Sequence, residues 1–401
     1  MKISFCIPSK NNLRYLKQAI HYIQKNIGET EYEILVWIDK NDDGTYEWLE
    51  SVKPKNVRWW LNPHQKPFGI GNAYDFLVEN ATTELIMIYH ADMILGPHCI
   101  SYMLEYIGKG KVVSATRVEP PLHPASEDKI TIDFGLWPET NVEDGFMEEA
   151  FEDFCVSNTF HNFETTNGIF APWLMYKEDY IKHDPALNSL AEDMDIFLRM
   201  KLKGYEFVQP RVALVYHLTC RGGQFEHAQT SDDLQTKSRD WQLLSYNKTK
   251  EFIRKWKHTP MMDKVGHPIE IPRYEMGVKV TNIVNTNWLW LFDLYFDKVC
   301  FDKQSMNVKL ETDRYINLES QNTAFSLYTK FSYTEQAVKE CDVYLEIDCT
   351  KLDQLSHPQF FEQLPFHIKK YGVEGKKMKA MDIIFKFNKL TERQNEYIYM
   401  K

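Results

Sequence analysis

Residues 85–97 read LIMIYHADMILGP and carry the clearest structural signal in the chain. The apolar run 85–88 predicts a buried β-strand, because four consecutive apolar residues leave neither face of the strand for solvent. The polar trio His90-Ala91-Asp92 follows, and the Gly96-Pro97 pair then interrupts the chain. A buried strand that ends near an imidazole and a carboxylate is typical of a ligand site at the edge of a sheet.

Three further strands are predicted on the N-terminal side, at residues 3–9, 32–39 and 56–62. Helical patterns lie between them, most clearly in residues 12–28, where apolar residues recur every three or four positions before a terminal glycine. Strand and helix alternate four times in about ninety residues, which predicts a mostly parallel sheet with helices on both faces. Pro8, Ser9 and Asp39 would then lie at the same C-terminal strand edge as the trio.

The bulk composition limits the classes of protein to consider. A chain of 401 residues, 43% of them hydrophobic, can form a large domain and a smaller one. The net charge of −10 argues against a general nucleic-acid binder, because phosphate binding requires a basic face. Seven scattered cysteines without a CxxC pair indicate free thiols in a reducing compartment. Since no apolar run approaches the length of about 18 residues that a spanning helix needs, we expect a soluble cytoplasmic protein.

The chain beyond residue 97 adds two candidate segments and a boundary. Residues 188–204 predict a helix with Glu192 and Asp193 near its start, and residues 212–219 predict a strand that contains His217. Residues 259–272 contain prolines and lack periodicity. We therefore expect a large α/β domain over residues 1–258 and a small α+β domain over residues 259–401, in which no catalytic motif stands out.

Four motifs occur in a fixed order: IPSKNN at residues 7–12, IDKNDDGT at 38–45, HAD at 90–92, and AEDMDIFLRM followed by GY at 191–205. Together they resemble the inverting glycosyltransferase family 2, whose members commonly read IPTYN, VDDGSTD, DAD and GEDxDLxxR with GY at these points. The resemblance covers roughly residues 1–217. It implies a GT-A (Rossmann-like) fold and transfer of a sugar from a nucleotide-diphosphate donor to an acceptor hydroxyl.

The resemblance implies a divalent metal, Mn²⁺ or Mg²⁺, that bridges the donor phosphates. Asp92 matches the last aspartate of the family's DxD motif, which implies a metal ligand. His90 replaces the first aspartate and would contact the nucleotide or the metal, since these cations prefer oxygen but tolerate imidazole. His217 is a second ligand candidate, because some GT-A enzymes use a histidine after the ED helix. A lone histidine after a strand is also typical of a structural residue.

The resemblance assigns the catalytic base to the helix that follows AED. Asp193 would deprotonate the acceptor hydroxyl, and Glu192 would orient the acceptor. The alternative is an acidic first helix turn without a function, which the helix dipole would stabilise.

Further positions match parts of the family that bind nucleotide and acceptor. Pro8 and Ser9 would line the nucleobase, and Asp39, or alternatively Asp42, would accept a hydrogen bond from it. Arg221 would offset phosphate charge, or else be a solvated loop arginine. Trp173 would stack on an acceptor sugar, or else lie in the core.

Other readings of the same residues stay open. The glycines of PFGIGN, residues 67–72, could form a phosphate loop, although the segment is neither GxGxxG nor a Walker motif. The helical segment 241–256 could lie on a bilayer as a peripheral membrane contact, although burial against the catalytic sheet is the stronger expectation.

The function predicted is an inverting, metal-assisted hexosyltransferase that acts on a growing glycan, a lipid-linked saccharide or a surface polysaccharide precursor. One alternative is a GT-A-like scaffold that binds nucleotide or glycan without turnover. Another is a sugar-nucleotide nucleotidylyltransferase, which the absence of a glycine-rich loop after the first strand disfavours. The donor sugar, nucleobase, linkage and oligomeric state are not indicated.

Overall fold

The structure is a computed structural model that describes residues 1–64, 66–135, 145–159, 163–219, 239–283, 288–302, 306–332, 334–352 and 357–398. The chain divides into two compact units. The N-terminal unit comprises Met1–Leu244 and Met262–Pro268, and the C-terminal unit comprises Ser245–Met261 and Ile269–Lys401. That residues 1–258 and 259–401 fold as separate domains stays a prediction.

The N-terminal unit alternates strands and helices along its first hundred residues, as predicted. Its elements are β1 (Lys2–Lys10), α1 (Leu13–Asn26), β2 (Glu31–Lys40), α2 (Thr45–Val52), β3 (Val57–Leu61), α3 (Ile70–Asn80), β4 (Leu85–Ile88), β5 (Met93–Leu95), α4 (Cys99–Leu104), β6 (Lys111–Ser114), β7 (Thr116–Glu119), β8 (Lys129–Thr131), α5 (Glu148–Thr159), β9 (Thr165–Thr166), β10 (Trp173–Tyr176), α6 (Glu192–Leu202), β11 (Glu206–Pro210) and β12 (Leu214–His217).

The main sheet of this unit has eight strands in the order β3-β2-β1-β4-β10-β6-β11-β9. Strands β1 to β4 run parallel to one another, and β10 is antiparallel to both of its neighbours. Continuous apolar stretches occur in β1, β2 and β4 because helices cover both faces of a parallel sheet. Helix α1 contributes Leu16, Ile20 and Ile23 to the core from one apolar stripe. These findings confirm the predicted α/β fold class.

A second, four-stranded sheet in the order β5-β12-β7-β8 completes this unit. Strand β12 runs antiparallel to β5 and parallel to β7. The pairing places His217 opposite Met93, one residue beyond Asp92. Two segments that are far apart in the sequence therefore meet directly after the HAD motif.

The C-terminal unit contains a six-stranded sheet with helices around it, in agreement with the predicted further domain. The further elements in the described ranges are α7 (Arg239–Trp256), β13 (Met276–Thr281), α8 (Leu289–Tyr295), β14 (Lys298–Phe301), α9 (Met306–Glu319), β15 (Phe331–Ser332), α10 (Gln336–Lys339), β16 (Val343–Asp348), α11 (His357–Glu362), α12 (Leu364–Tyr371), β17 (Lys377–Ala380) and β18 (Ile383–Phe387). The strand order of the six-stranded sheet is β15-β14-β13-β16-β18-β17.

Helix α7 contains the segment that the sequence analysis considered for membrane contact. Its second half is buried, and Ile253 packs in the core of the C-terminal unit. Arg254 forms ion pairs there with Glu251 and Asp293. The packing observed for this half thus belongs to the C-terminal unit and not to the catalytic sheet, which the sequence favoured. The six cysteines in the described ranges are free thiols. No helix in those ranges is long and apolar enough to span a membrane.

Candidate metal and nucleotide site

The predicted strand-end residues meet at one edge of the main sheet. Strand β1 lies between β2 and β4, and all three run in the same direction. The register pairs Ser9 with Ile38 and Cys6 with Ile88, so Pro8, Ser9, Asp39 and His90 follow at the same C-terminal edge. The topology therefore builds the site where parallel sheets bind ligands.

His90, Asp92 and His217 form a cluster in which one ligand atom from each residue lies within 4.8 Å of the others. The backbone N–H of Leu218 donates to the carbonyl of Asp92 at 3.0 Å and fixes the approach of the two segments. Nε2 of His217 lies 3.6 Å from Oδ1 of Asp92, and the two histidine rings are 5.5 Å apart. Two imidazoles and a carboxylate fit a divalent cation that accepts both nitrogen and oxygen ligands, such as Mn²⁺.

Glu119 supports this cluster, although the sequence analysis did not identify it. Its Oε1 lies 2.8 Å from Nδ1 of His217, and Lys129 and Arg117 contact the same carboxylate at 2.8 and 3.1 Å. Although burial alone would raise the pKa of Glu119, the hydrogen bond to His217 and the charge of Arg117 hold that pKa well below its usual range. A carboxylate that accepts from Nδ1–H leaves Nε2 of His217 as the nitrogen with a lone pair that could bind a metal.

His90 is held in the form that a metal ligand requires. Burial, and then the neighbouring His217, lower the pKa of His90 from its usual value to about 4. At neutral pH the imidazole is therefore uncharged, which is the form that coordinates metals.

The Glu192-Asp193 pair begins α6, and an unusual backbone precedes it. Leu190 and Ala191 have φ angles of +57° and +78°, in the left-handed region that costs a residue with a side chain roughly 1–2 kcal/mol. Such strain persists only where the surrounding structure fixes it, commonly at functional sites. Burial raises the pKa of Asp193, while nearby His183 and Arg117 act in the opposite direction.

Tyr74 interacts electrostatically with the Glu192-Asp193 pair and with Asp92 of the cluster. It is buried, and its hydroxyl contacts the carbonyl of Tyr89 at 3.4 Å. Burial raises the pKa of Tyr74, and the charges of Asp193, Glu192 and Asp92 raise it further. All three carboxylates therefore lie within electrostatic range of one phenol. The sequence analysis did not identify Tyr74, since a helical tyrosine that faces the core carries no motif.

The remaining charged pair of this motif is structural. Asp195 is fully buried and accepts from Nε of Arg199 at 2.7 Å, one helical turn later. Arg199 also donates to the carbonyl of Lys182 at 2.8 Å. This pair joins α6 to the preceding segment.

The predicted nucleobase residues differ in how their side chains are engaged. Asp39 accepts hydrogen bonds from the N–H of Phe68 at 2.8 Å and from Asn62 at 2.9 Å, both at Oδ1. The alternative, Asp42, is exposed and pairs with Lys40 at 2.6 Å. Pro8 is half-buried. Ser9 is buried, and its hydroxyl makes no hydrogen bond within the described part of the chain.

Close packing accounts for the glycines of PFGIGN. Gly69 has a φ of +90°, and a Cβ on Gly71 would lie 2.9 Å from Cβ of His183. The N–H of Gly71 donates to the carbonyl of Asn188 at 2.9 Å, which draws α3 against the segment before α6. The two glycines thus serve this approach of backbone to backbone.

Two further predicted residues are not part of the described site. Trp173 is only 2% exposed, pairs with Ile88 and Ser114 in the sheet, and stacks on Tyr180 at 6.4 Å. Its ring is part of the core, which is the second of the two readings given above. Arg221 lies outside the described residues.

Residues 4–161 match the model of a family described as "Glycosyl transferase family 2". The matched region contains Asp39, His90, Asp92 and Glu119, whereas Asp193 and the second histidine of the cluster follow it. The match confirms the resemblance and the enzyme class that the sequence predicts.

Solved structures that align with this chain are remote from it in sequence. TarS from S. aureus aligns with 13% identity and a TM-score of 0.38 over 56% of this chain and 38% of that chain. GalNAc-T7 with UDP, GalNAc and Mn²⁺ aligns with 13% identity and a TM-score of 0.45 over 64% and 48%. The mannosyltransferase PcManGT from Pyrobaculum calidifontis with GDP-Man and Mn²⁺ aligns with 13% identity and a TM-score of 0.36 over 56% and 59%. The aligned part thus spans less than two thirds of each of these chains. Over residues 4–161, which are less than half of its length, this chain is thus similar to glycosyltransferase family 2.

Proposed function

We propose that the protein is an inverting glycosyltransferase that moves a sugar from a nucleotide-diphosphate donor to a hydroxyl of a glycan or lipid-linked acceptor. The observation that carries this proposal is the cluster of His90, Asp92 and His217 at the C-terminal edge of a family 2 sheet. The Glu192-Asp193 pair lies within electrostatic range of the same phenol as Asp92, which supports a shared site.

His90, Asp92 and His217 are the residues that would hold the metal, and Mn²⁺ suits their two nitrogens better than Mg²⁺ does. When bound, a divalent cation offsets the charge that develops on the leaving diphosphate. Glu119 would orient His217, because its contact with Nδ1 directs the other ring nitrogen toward the proposed metal position.

Pro8, Ser9 and Asp39 are the proposed contacts of the nucleobase. The buried Ser9 hydroxyl supports this role, because a buried polar group without a partner costs free energy unless a ligand satisfies it. Within the described residues the hydrogen bonds to the Asp39 carboxylate converge on Oδ1, so a nucleobase would approach Oδ2. Arg221 keeps its proposed role in offsetting phosphate charge.

Asp193 is the proposed base and Glu192 the proposed acceptor-orienting residue. The upward shift of the Asp193 pKa supports this role, because a carboxylate with a higher pKa accepts a proton more readily at neutral pH. Removal of the hydroxyl proton by Asp193 would accompany attack on the anomeric carbon from the side opposite the diphosphate. A single displacement of this kind inverts the configuration.

The cellular location is also a proposal. The six cysteines in the described ranges are free thiols and buried, which supports a reducing, cytoplasmic compartment.

The direct test is turnover with a panel of UDP-, GDP-, CDP- and dTDP-sugars in Mn²⁺, followed by proton NMR. If the proposal holds, one nucleoside diphosphate is released and the first-formed product has the inverted anomeric configuration. The Asp193→Asn variant should lose about 10²–10⁴-fold in rate while it still binds nucleotide. Retained configuration, or full activity in that variant, would contradict the proposal. Nucleotide binding without turnover of any donor would favour the scaffold alternative.

A further inference from the structure

The C-terminal unit has an apolar cavity of about 400 Å³ between α11, α12 and the β17–β18 hairpin. Its walls include Phe360, His367, Tyr371, Met378, Met381 and Phe385. The first three of these rings form a continuous stack, with centroids 5.3 and 6.1 Å apart along the series. A cavity of this volume and lining accommodates a small apolar ligand or one hydrocarbon chain.

The mouth of this cavity has apolar side chains exposed to solvent. Tyr371 is 51% exposed and Met381 is 44% exposed, and both line the cavity. Val373, two residues after Tyr371, is also exposed. Exposed apolar side chains grouped around a cavity mark an interaction site more often than isolated ones do.

Met381 occupies a position that folding alone would not select for methionine. The hairpin turn consists of Met381 and Asp382, whose φ angles are +49° and +62°. Turns with two positive φ angles favour asparagine, aspartate and glycine, because other side chains are strained there. A methionine at the tip therefore puts an apolar group in solvent and strains the turn, which suggests that its side chain has a partner.

The chain around the cavity is strongly basic. Residues 364–389 contain seven lysines and two acidic residues, within a chain of net charge −10. Lys370 lies over the ring of Tyr371 at 5.0 Å, and Lys379 pairs with Asp382 in the hairpin turn at 2.8 Å. Lys376 and Lys377 are exposed and precede the cavity residue Met378. Lys369 pairs with Glu392 and Lys386 with Glu346, outside that stretch. The positive charge that remains around the cavity favours an anionic partner.

We propose that this face of the C-terminal unit docks on an anionic lipid bilayer, with Met381 inserted and one lipid acyl chain in the cavity. Stable peripheral binding requires two signals, an apolar insertion and a polybasic patch, and both occur here. The long lysine side chains can reach headgroups while the hairpin tip enters the apolar layer. A second copy of the chain fits less well, because a two-fold contact would place lysines against lysines. The proposal requires neither the metal nor the transferase activity.

The test is sedimentation of the full chain, without nucleotide or metal, with vesicles of phosphatidylcholine alone or mixed with phosphatidylglycerol. We expect binding about tenfold stronger to the anionic vesicles and its loss at high salt. Lys370→Glu with Lys376→Glu should weaken binding about tenfold. The matched pair Lys309→Glu with Lys351→Glu, elsewhere in the same unit, should leave it unchanged.

Two substitutions of Met381 test the insertion. Met381→Asn suits the left-handed turn, so thermal unfolding should show no loss of stability while vesicle binding falls. In Met381→Trp, the new tryptophan should shift to shorter emission wavelength with vesicles and be quenched by brominated acyl chains. Equal binding to neutral and anionic vesicles, absence of quenching, or binding of monomeric short-chain phospholipid without vesicle binding would each overturn the proposal.

Discussion

Nδ1 of His217 lies 2.8 Å from Oε1 of Glu119, and this contact fixes which nitrogen of His217 faces Asp92. Glu119 ends β7, His217 ends β12 and Asp92 directly precedes β5, and the contact joins positions 98 residues apart. The metal cluster therefore depends on the pairing of β12 with both β5 and β7. A carboxylate behind a histidine ligand tunes its basicity as well as its orientation.

The Glu119→Gln variant should bind Mn²⁺ about 10–100-fold more weakly than the unmodified protein. The amide can still accept from Nδ1–H, but it lacks the negative charge that offsets Arg117 and Lys129. Titration of Mn²⁺ followed by electron paramagnetic resonance measures the affinity. Glu127→Gln, at an exposed site, is the control and should bind Mn²⁺ normally. Equal Mn²⁺ affinities in the two variants would show that Glu119 does not support metal binding.

The His90→Asp variant should shift metal preference toward Mg²⁺. It restores the first carboxylate of the family's DxD motif and replaces a nitrogen ligand by oxygen, which the harder cation prefers. Competition between Mn²⁺ and Mg²⁺ in calorimetry gives the ratio of affinities for each protein. An unchanged ratio would show that His90 does not contact the metal.

The Gly71→Ala variant should destabilise the N-terminal unit by about 1–3 kcal/mol, as overpacking does. The added Cβ would lie 2.9 Å from the Cβ and Cγ atoms of His183, so that α3 or the His183 segment would have to shift. Urea unfolding measures the change. Gly108→Ala is the matched control, because the three atoms nearest to its Cβ belong to the flexible Lys111 side chain, the first at 3.2 Å. A loss of nucleotide binding without a loss of stability in Gly71→Ala would instead favour the phosphate-loop reading.

The Asp293→Asn variant should destabilise the C-terminal unit by about 3 kcal/mol, the lower part of the range for broken buried ion pairs. Asp293 is fully buried and accepts from Arg254 at 2.6 Å and from Lys330 at 3.0 Å. Asparagine would leave those two cations without their shared charge. Asp302→Asn, at an exposed position, should cost little in urea unfolding.

The same aspartate predicts an acid dependence. Although burial alone would raise the pKa of Asp293, the charges of Lys330 and Arg254 hold it well below its usual range. As pH falls, the unfolded chain therefore takes up this proton first, near pH 4. The stabilisation is complete above that pH and declines below it. In Asp293→Asn the free energy of unfolding should fall less steeply over this interval. An identical slope in both proteins would contradict the assignment.

Local sequence patterns predicted much of this molecule because they report on nearest neighbours. Apolar runs and helical spacing predicted the strands β1 to β4 and the helices between them, and their C-terminal ends predicted the positions of Asp92 and His90. Glu119 could not be found in the same way, since its contact with His217 depends on β7 lying beside β12. The signal that was present is Glu119 at the end of the stretch VVSATRVE, residues 112–119, directly before two prolines. Trp173 had two readings in the sequence, and only burial distinguishes them.

We propose that the HAD motif and His217 form a metal-dependent nucleotide site, and calorimetric titration with UDP, GDP, CDP and dTDP, in Mn²⁺ and then in EDTA, is its test. We expect micromolar binding of one nucleoside diphosphate that requires metal and is lost in Asp92→Asn. The variant Asp153→Asn, at an exposed position on α5, should bind as the unmodified protein does. Absence of binding with and without metal, or equal binding by Asp92→Asn, would contradict it.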